Sequence, residues 1–404
     1  MSLFINYFVF AILLNSVGTV ILQVQNNFGI SESSASVLEA FKDLSIAVTS
    51  FLLASYITRI GYKRSMLLAL GFIFLVCLSM PFLPKFWMTK LLFAATGVGF
   101  ALIKVSVFST LGLVTKDKKE HVSLMNFLES FFMIGVLSGY FIFSAFVDDS
   151  NPESTGWFSV YYLLAAMTLV AFILLWSAPL DESRVKHDEK KSMTDDFGDM
   201  LKLIIKPLVL VFILSAFIYV LVEQGIMSWL PTFNSRILNL PTSLSIQMAS
   251  IMAASTALGR FGAGFVLKSV GWFKLLAICI ILAGTLVLIS MPLATQVGTQ
   301  EATSWFTAPL AAYFFPLIGF FLAPIYPAIN SVVLSALPVK QHAPMAGLIV
   351  VFSALGGTTG SIITGTLFEV IGGQKAFYLS LIPLTGLLIL IYLLNRETKK
   401  HTTF

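Results

Sequence analysis

Residues 179–205 read PLDESRVKHDEKKSMTDDFGDMLKLII and form the only long polar segment of the chain. Stretches that are apolar enough to cross a bilayer lie on both sides, six before the segment and six after it. The segment mixes both signs of charge and has no apolar periodicity until its end, which is typical of a solvated linker. We therefore predict two six-helix halves, residues 1–178 and 206–404. The segment between them, 179–205, is predicted to be a solvated cytoplasmic linker with room for a short surface helix at 195–204. The alternative is that this segment has a regulatory role.

The composition is that of a membrane protein. Of the 404 residues 57% are apolar and 11% are charged, whereas about a quarter of a soluble domain is charged. A membrane-spanning helix needs about 20 apolar residues, and no signal-peptide cleavage pattern follows the first apolar run. The sequence predicts an all-α fold with twelve spans, near 5–27, 34–58, 65–83, 88–114, 121–146, 157–178, 206–230, 243–267, 274–293, 306–336, 344–370 and 376–395.

Loop signals set the ends and the direction of these spans. Pro84, Pro231 and Pro338 stand where spans should end. When the odd-to-even hairpins are assigned outward, only four loop cations lie outside, and the other loop cations lie inside. The four are Lys85, Lys90, Arg236 and Lys375. Because cytoplasmic loops are rich in Lys and Arg, we expect both termini in the cytoplasm.

Several classes of function are disfavoured. Cys77 and Cys279 both lie in apolar runs, so neither a disulfide framework nor a metal site is predicted. No His accompanies the acids at membrane depth, so no catalytic pair can be assembled. The net charge of +5 reflects membrane orientation rather than nucleic-acid binding. We predict no enzyme, no cofactor and no nucleic-acid partner.

The division into halves and a loop motif resemble the major facilitator superfamily. TRIGYKR at 58–64, between spans 2 and 3, is similar to that superfamily's basic loop motif, and Leu258–Gly271 is a weaker echo in the second half. The resemblance implies two halves that rock around a site near the bilayer midplane.

Other stretches resemble the fucose–galactose–glucose:H+ symporter family. They are Tyr219, EQG at 223–225, WLPTF at 229–233, PIYPAINS at 324–331, GGTTGS at 356–361 and Asn15. The resemblance implies proton-coupled uptake of a sugar. The acids which that family carries in spans 1 and 4 would fall near Gly18 and Lys104. A carboxylate has been replaced by a cation, so the sugar substrate does not transfer with the resemblance.

Charged residues inside the spans are the main pointers to function, because a charge near the bilayer midplane costs at least about 2.5–3.5 kcal/mol. In span 2, Glu39 and Asp43 stack one helical turn apart, and Lys42 could reach Asp43 only by bending sideways. The two acids are candidate proton carriers and Lys42 is a candidate gate residue. A self-neutralised cluster that reaches water is the alternative.

Three further charges lie deeper, toward the predicted cytoplasmic side. Lys104 and Glu129 are on neighbouring antiparallel spans and could form a structural ion pair. Alternatively, Lys104 could offer its charge to an anionic substrate. Arg260 lies at a similar depth to Glu129, and the resemblance implies that a Glu129–Arg260 bridge could act as a gate.

Glu223 in span 7 is an isolated acid and a candidate for the coupling proton, since an apolar environment disfavours a carboxylate charge. Its alternative roles are pairing with Lys42 or hydrogen bonding to Tyr219 or Gln224. Amide and aromatic side chains that could bind substrate, or else join helices, are Asn15, Asn126, Gln224, Trp229, Tyr326 and Asn330.

These features predict a monomeric transporter in the inner membrane of a bacterium. It would carry out proton-coupled symport of a small polar or anionic solute, such as a sugar acid, an amino-acid derivative or a sugar, by alternating access. A neutral hexose symporter, an exporter of drugs or metabolites, and a receptor without transport are the alternatives.

Overall fold

The computed structural model describes residues 2–53, 57–115, 118–180, 182, 193–295, 303–338 and 341–401. Within these residues all regular structure is helical. The chain forms two compact units, which are described separately. Unit 1 comprises Met1–Gly29 and Leu38–Lys191, and unit 2 comprises Ile30–Val37 and Ser192–Phe404.

Unit 1 is built from spans 1 to 6. Its helices are α1 (Ser2–Asn15), α2 (Val17–Phe28), α3 (Glu32–Leu53, whose first residues belong to unit 2), α4 (Ile57–Ile60), α5 (Tyr62–Ser79), α6 (Phe86–Val114), α7 (Lys118–Ser144) and α8 (Val160–Ser177). Helices α1 and α2 are together long and apolar enough to cross a membrane, with a bend of 43° between them. At the bend the Asn15 amide and the Ser16 hydroxyl donate to the carbonyl oxygens of Ala11 and Leu13, each at 2.8 Å. Such side-chain hydrogen bonds compete with the helical ladder and bend it.

Unit 2 contains a linker helix and spans 7 to 12. Its helices are α9 (Met193–Ile204), α10 (Pro207–Met227), α11 (Leu230–Arg236), α12 (Thr242–Val270), α13 (Trp272–Thr295), α14 (Ala311–Phe314), α15 (Ile318–Leu322), α16 (Ile325–Ala336), α17 (His342–Ile371), α18 (Gly373–Tyr378) and α19 (Leu381–His401). The short helix foreseen at 195–204 is present as α9, whose buried Met200 reaches Gly347 of α17. Residues 181 and 183–192 of the predicted linker lie outside the described residues.

The helices confirm an all-α membrane protein. Among the described residues ten helices are long and apolar enough to cross a membrane, and the bent pair α1–α2 makes eleven. Helix α3 has 22 residues, which at 1.5 Å per residue also suffices to span. It is not counted among them because Glu39, Lys42 and Asp43 interrupt its apolar character.

Proline 231 does not end span 7, so that part of the prediction is wrong. After a short break at Ser228 and Trp229, the chain turns into α11 with Pro231 in its first turn. Proline is tolerated there because the first backbone N–H groups of a helix have no intrahelical partner.

Glycines fix two features of the packing. Gly61 and Gly271, which precede α5 and α13, have φ values of 89° and 76°, a region that favours glycine. They occupy matching places in the basic loop motif and its echo. In α17, a Cβ added to Gly356 or Gly360 would strike the backbone of Phe217 or Leu221 in α10. The glycine-rich span 11 therefore serves close helix packing.

Candidate functional site

Helix α3 carries a buried cluster of three charges, Glu39, Lys42 and Asp43, which we call the α3 triad. The Lys42 Nζ atom forms a short ion pair with Glu39 and lies 3.5 Å from Asp43 Oδ1. Lys42 therefore contacts both acids, although the sequence suggested that Asp43 would be hard to reach. With all three groups ionised, one cation and two carboxylates leave a net charge of −1.

Close packing with α6 holds the triad in place. A Cβ on Gly97 of α6 would collide with the Lys42 carbonyl oxygen and with Ser45. The two helix backbones thus meet at the turn that carries the triad. Glu39 is fully buried and Asp43 is 8% exposed, so Asp43 is the more accessible of the two carboxylates.

A second group of residues in unit 1 surrounds Lys104 of α6, and we call it the Lys104 site. Phe100, Lys104 and Phe108 follow one another at intervals of four residues, so they share one face of α6. The Lys104 Nζ atom lies 5.7 Å from the centre of the Phe100 ring. Tyr7 of α1 packs against Phe100 and Phe108 with ring centres 6.4 and 6.1 Å away.

Helix α7 supplies the other wall of the Lys104 site. Phe132 lies 5.7 Å from Tyr7 and 6.0 Å from Phe100, measured between ring centres. Glu129, one turn before Phe132, interacts electrostatically with both Lys104 and Tyr7.

Lys104 and Glu129 share this site without a direct bond. Both side chains are exposed, and within the described part of the chain neither makes an ion pair within 4 Å. The direct structural pair that was one alternative for these residues is therefore not formed. Glu129 belongs to unit 1 and Arg260 to unit 2, so their bridge stays a prediction.

In unit 2, Glu223 lies within a cluster of hydroxyl and amide groups, which we call the Glu223 cluster. The Tyr219 hydroxyl donates to Glu223 Oε1 at 2.6 Å, which confirms one of the alternatives for this acid. The Tyr219 ring stacks on Tyr326 of α16 with a centre distance of 5.6 Å. The Tyr326 hydroxyl in turn lies 2.8 Å from Ser353 Oγ of α17. Three helices, α10, α16 and α17, thus meet at these side chains.

Two more predicted residues lie beside this cluster. The side-chain oxygen of Asn330 is buried without a hydrogen-bond partner among the described residues. Arg260 of α12 is exposed and acts electrostatically on Tyr219. The cluster therefore combines an acid, a nearby cation and an unused hydrogen-bond acceptor.

The remaining candidates lie elsewhere. Trp229 is fully buried, and its indole N–H donates to the backbone oxygen and the hydroxyl of Ser361, each at 3.1 Å. Substrate could reach it only after these contacts open. Asn15 bonds within its own helix, Gln224 is half-buried in α10, and the Asn126 side chain lies outside the described part of the structure. Their contact with substrate stays a prediction.

Sequence reasoning missed Tyr7 and Ser353. A single tyrosine or serine within an apolar run gives no signal of its own, because the sequence does not show how each helix is rotated against its neighbours.

Comparison with known proteins identifies the family. The family model of the Major Facilitator Superfamily matches residues 3–315. The protein TsgA homolog of Buchnera aphidicola subsp. Schizaphis graminum is 22% identical over 95% of this chain and 93% of its own length. The structure of a bacterial homolog of the human lysosomal transporter Spinster, inward-facing and occupied, superimposes with a TM-score of 0.79 at 14% identity, covering 99% of this chain and 97% of that one.

A further solved structure is that of the Escherichia coli fucose:proton symporter FucP. It matches with a TM-score of 0.62 at 15% identity and covers 97% of both chains. The matches extend over nearly the whole length of each protein, so the resemblance seen in the sequence is confirmed at the level of the superfamily. The chain belongs to the Major Facilitator Superfamily and is a membrane transporter rather than an enzyme.

Proposed function

We propose that this transporter imports a small polar or anionic solute, such as a sugar acid or an amino-acid derivative, together with protons. Transport would proceed by alternating access, with the two halves exposing one site to each side of the membrane in turn. The cation-rich loops on one side support cytoplasmic termini. The bacterial relatives support a place in the bacterial inner membrane.

The observation that carries this proposal is Lys104. Lys104 lies inside the 29-residue helix α6, ten residues before its end, and its ammonium group makes no direct ion pair among the described residues. A charge at this depth is expensive unless it has a partner or a function. A carboxylate on the solute would provide the missing partner.

The α3 triad and Glu223 support proton coupling. The triad has one carboxylate more than its lysine can neutralise, so uptake of one proton makes it neutral. Asp43 is the better acceptor, because the Lys42 ammonium lies closer to Glu39 and Asp43 is the less buried acid. In unit 2, Glu223 has one hydrogen bond from Tyr219 and is half-buried, so its charge is only partly compensated.

A two-stage experiment tests the proposal. The purified protein is first screened for thermal stabilisation by sugar acids, amino acids and sugars. Hits are then tested for uptake into proteoliposomes with a pH gradient imposed in either direction. We expect accumulation only when the compartment that the solute leaves is the more acidic. Equal uptake under both gradients would contradict proton symport.

Single variants then separate the acids. We expect Glu223→Gln and Asp43→Asn each to abolish accumulation against a gradient, because an amide cannot take up a proton. Glu153→Gln, in an exposed loop, is the matched control and should accumulate solute like the wild type. Full proton-driven accumulation by Glu223→Gln would exclude Glu223 as a coupling residue.

A further inference from the structure

The Lys104 site holds two opposite charges that are neighbours without being bonded. Lys104 and Glu129 interact electrostatically, yet no ion pair within 4 Å joins them in the described part of the chain. Both side chains are exposed. When they are ionised, the site has no net charge but has a distinct positive and a distinct negative end.

Aromatic rings surround this pair of charges. Phe100 and Phe108 lie one helical turn on either side of Lys104, and Phe132 lies one turn beyond Glu129. These three phenyl rings are half-exposed. Apolar and planar surface is therefore available next to Lys104, whose Nζ atom lies 5.7 Å from the centre of the Phe100 ring, and one helical turn from Glu129.

Tyr7 adds an unused polar group at the same place. Its side chain is 1% exposed, and its hydroxyl has no hydrogen-bond partner among the described residues. A buried polar atom left unpaired is unfavourable, because it has lost its hydrogen bonds to water and gained none in the protein. The arrangement favours a ligand that brings a hydrogen-bonding group to an aromatic pocket.

We propose that the Lys104 site binds a zwitterionic α-amino acid with an aromatic side chain. The proposal rests on the transport function proposed above and names its substrate class. The ligand carboxylate pairs with Lys104 and its ammonium group pairs with Glu129. The aromatic side chain packs among Phe100, Phe108 and Phe132.

The same geometry disfavours ligands with a single charge, so it narrows the solutes of the proposed function from sugar acids and amino-acid derivatives to amino acids. A ligand with only a carboxylate would pair with Lys104 and be repelled by Glu129. A ligand with only an ammonium group would pair with Glu129 and be repelled by Lys104. Each would leave one charge of the site without its partner. A zwitterion neutralises both ends at once.

Binding to the full-length protein in lipid nanodiscs tests this inference by calorimetry. The reference ligand is L-phenylalanine. Three further probes each lack one of its groups: 3-phenylpropionate lacks the amine, phenethylamine lacks the carboxylate, and L-alanine lacks the ring. We expect L-phenylalanine to bind about 10-fold or more tightly than each of the others, the factor expected for loss of one hydrogen bond to a charged group or of one buried ring. Equal binding of 3-phenylpropionate or phenethylamine would overturn the inference, and so would the absence of binding by L-phenylalanine.

Two variants assign the charges. Lys104→Met should abolish the preference for L-phenylalanine over phenethylamine, and Glu129→Gln should abolish the preference over 3-phenylpropionate. Lys90→Met is the matched control, because Lys90 also lies on α6 and over a phenyl ring, that of Phe86 at 4.5 Å. Unchanged preferences in the first two variants would overturn the assignment.

The outcomes also separate this inference from the proposed function. Binding of L-phenylalanine without uptake driven by a pH gradient would refute proton symport and leave the inference standing. Uptake of a sugar acid driven by a pH gradient, without binding of L-phenylalanine, would overturn the inference alone.

Discussion

Replacing Lys42 with methionine should destabilise the protein more than any other single change of a lysine in the described helices. Lys42 contacts two carboxylates, Glu39 and Asp43, which are 0% and 8% exposed. Removing one partner of a buried ion pair costs about 3–5 kcal/mol, because the remaining charge is left without compensation. Because two acids lose their partner, we expect Lys42→Met to lower the free energy of unfolding by an amount near the upper end of this range. The free energy is measured by unfolding with sodium dodecyl sulfate in mixed micelles.

Two further variants test the reason for this loss. The neutral triple variant Lys42→Met, Glu39→Gln, Asp43→Asn should recover to within about 1 kcal/mol of the wild type, because no uncompensated charge remains. Lys400→Met breaks a pair with the same i, i+3 spacing to Glu397, but the Lys400 side chain is 58% exposed, so it should cost at most about 1 kcal/mol. If Lys42→Met costs no more than Lys400→Met, or the triple variant is no more stable than Lys42→Met, the reasoning about the triad is wrong.

The remaining predictions concern one hydrogen bond and one helix contact, and they are also measured as the free energy of unfolding. Asn27→Ala should cost about 1–3 kcal/mol, because the indole N–H of the buried Trp157 loses its acceptor; a loss below about 0.5 kcal/mol would contradict this reading. Gly360→Ala should cost about 1–3 kcal/mol, because its new Cβ meets the backbone of Leu221. Gly264→Ala, where a Cβ meets nothing within 4 Å, is the control, and an equal loss in both variants would refute the packing argument.

The spans could be predicted well because each must be apolar over about 20 residues and must satisfy its own backbone hydrogen bonds. The details of their ends and bends could not. Pro231 was taken as a stop, but proline is compatible with the first turn of α11. The bend between α1 and α2 depends on hydrogen bonds from Asn15 and Ser16 to their own helix, and many such residues occur in straight helices.

In the Glu223 cluster and the Lys104 site, contacts between residues of the same helix could be predicted from the sequence. Contacts between residues of different helices could not. The bond between Tyr219 and Glu223 follows from their spacing of four residues. The approach of Tyr326 to Ser353, and of Tyr7 to Phe100, depends on how neighbouring helices are rotated. One sequence does not contain that rotation, so Lys104 could not be assigned to aromatic neighbours on other helices in advance.

Proton movement coupled to solute entry tests the central proposal most directly. Membrane vesicles or cells with the transporter are placed in a weakly buffered medium, and the solute that stabilises the protein best in the thermal screen is added. We predict that the medium becomes alkaline as solute and protons enter together, and that Glu223→Gln abolishes this change while Glu153→Gln preserves it. Solute entry without any alkaline shift in the wild type would contradict proton-coupled symport.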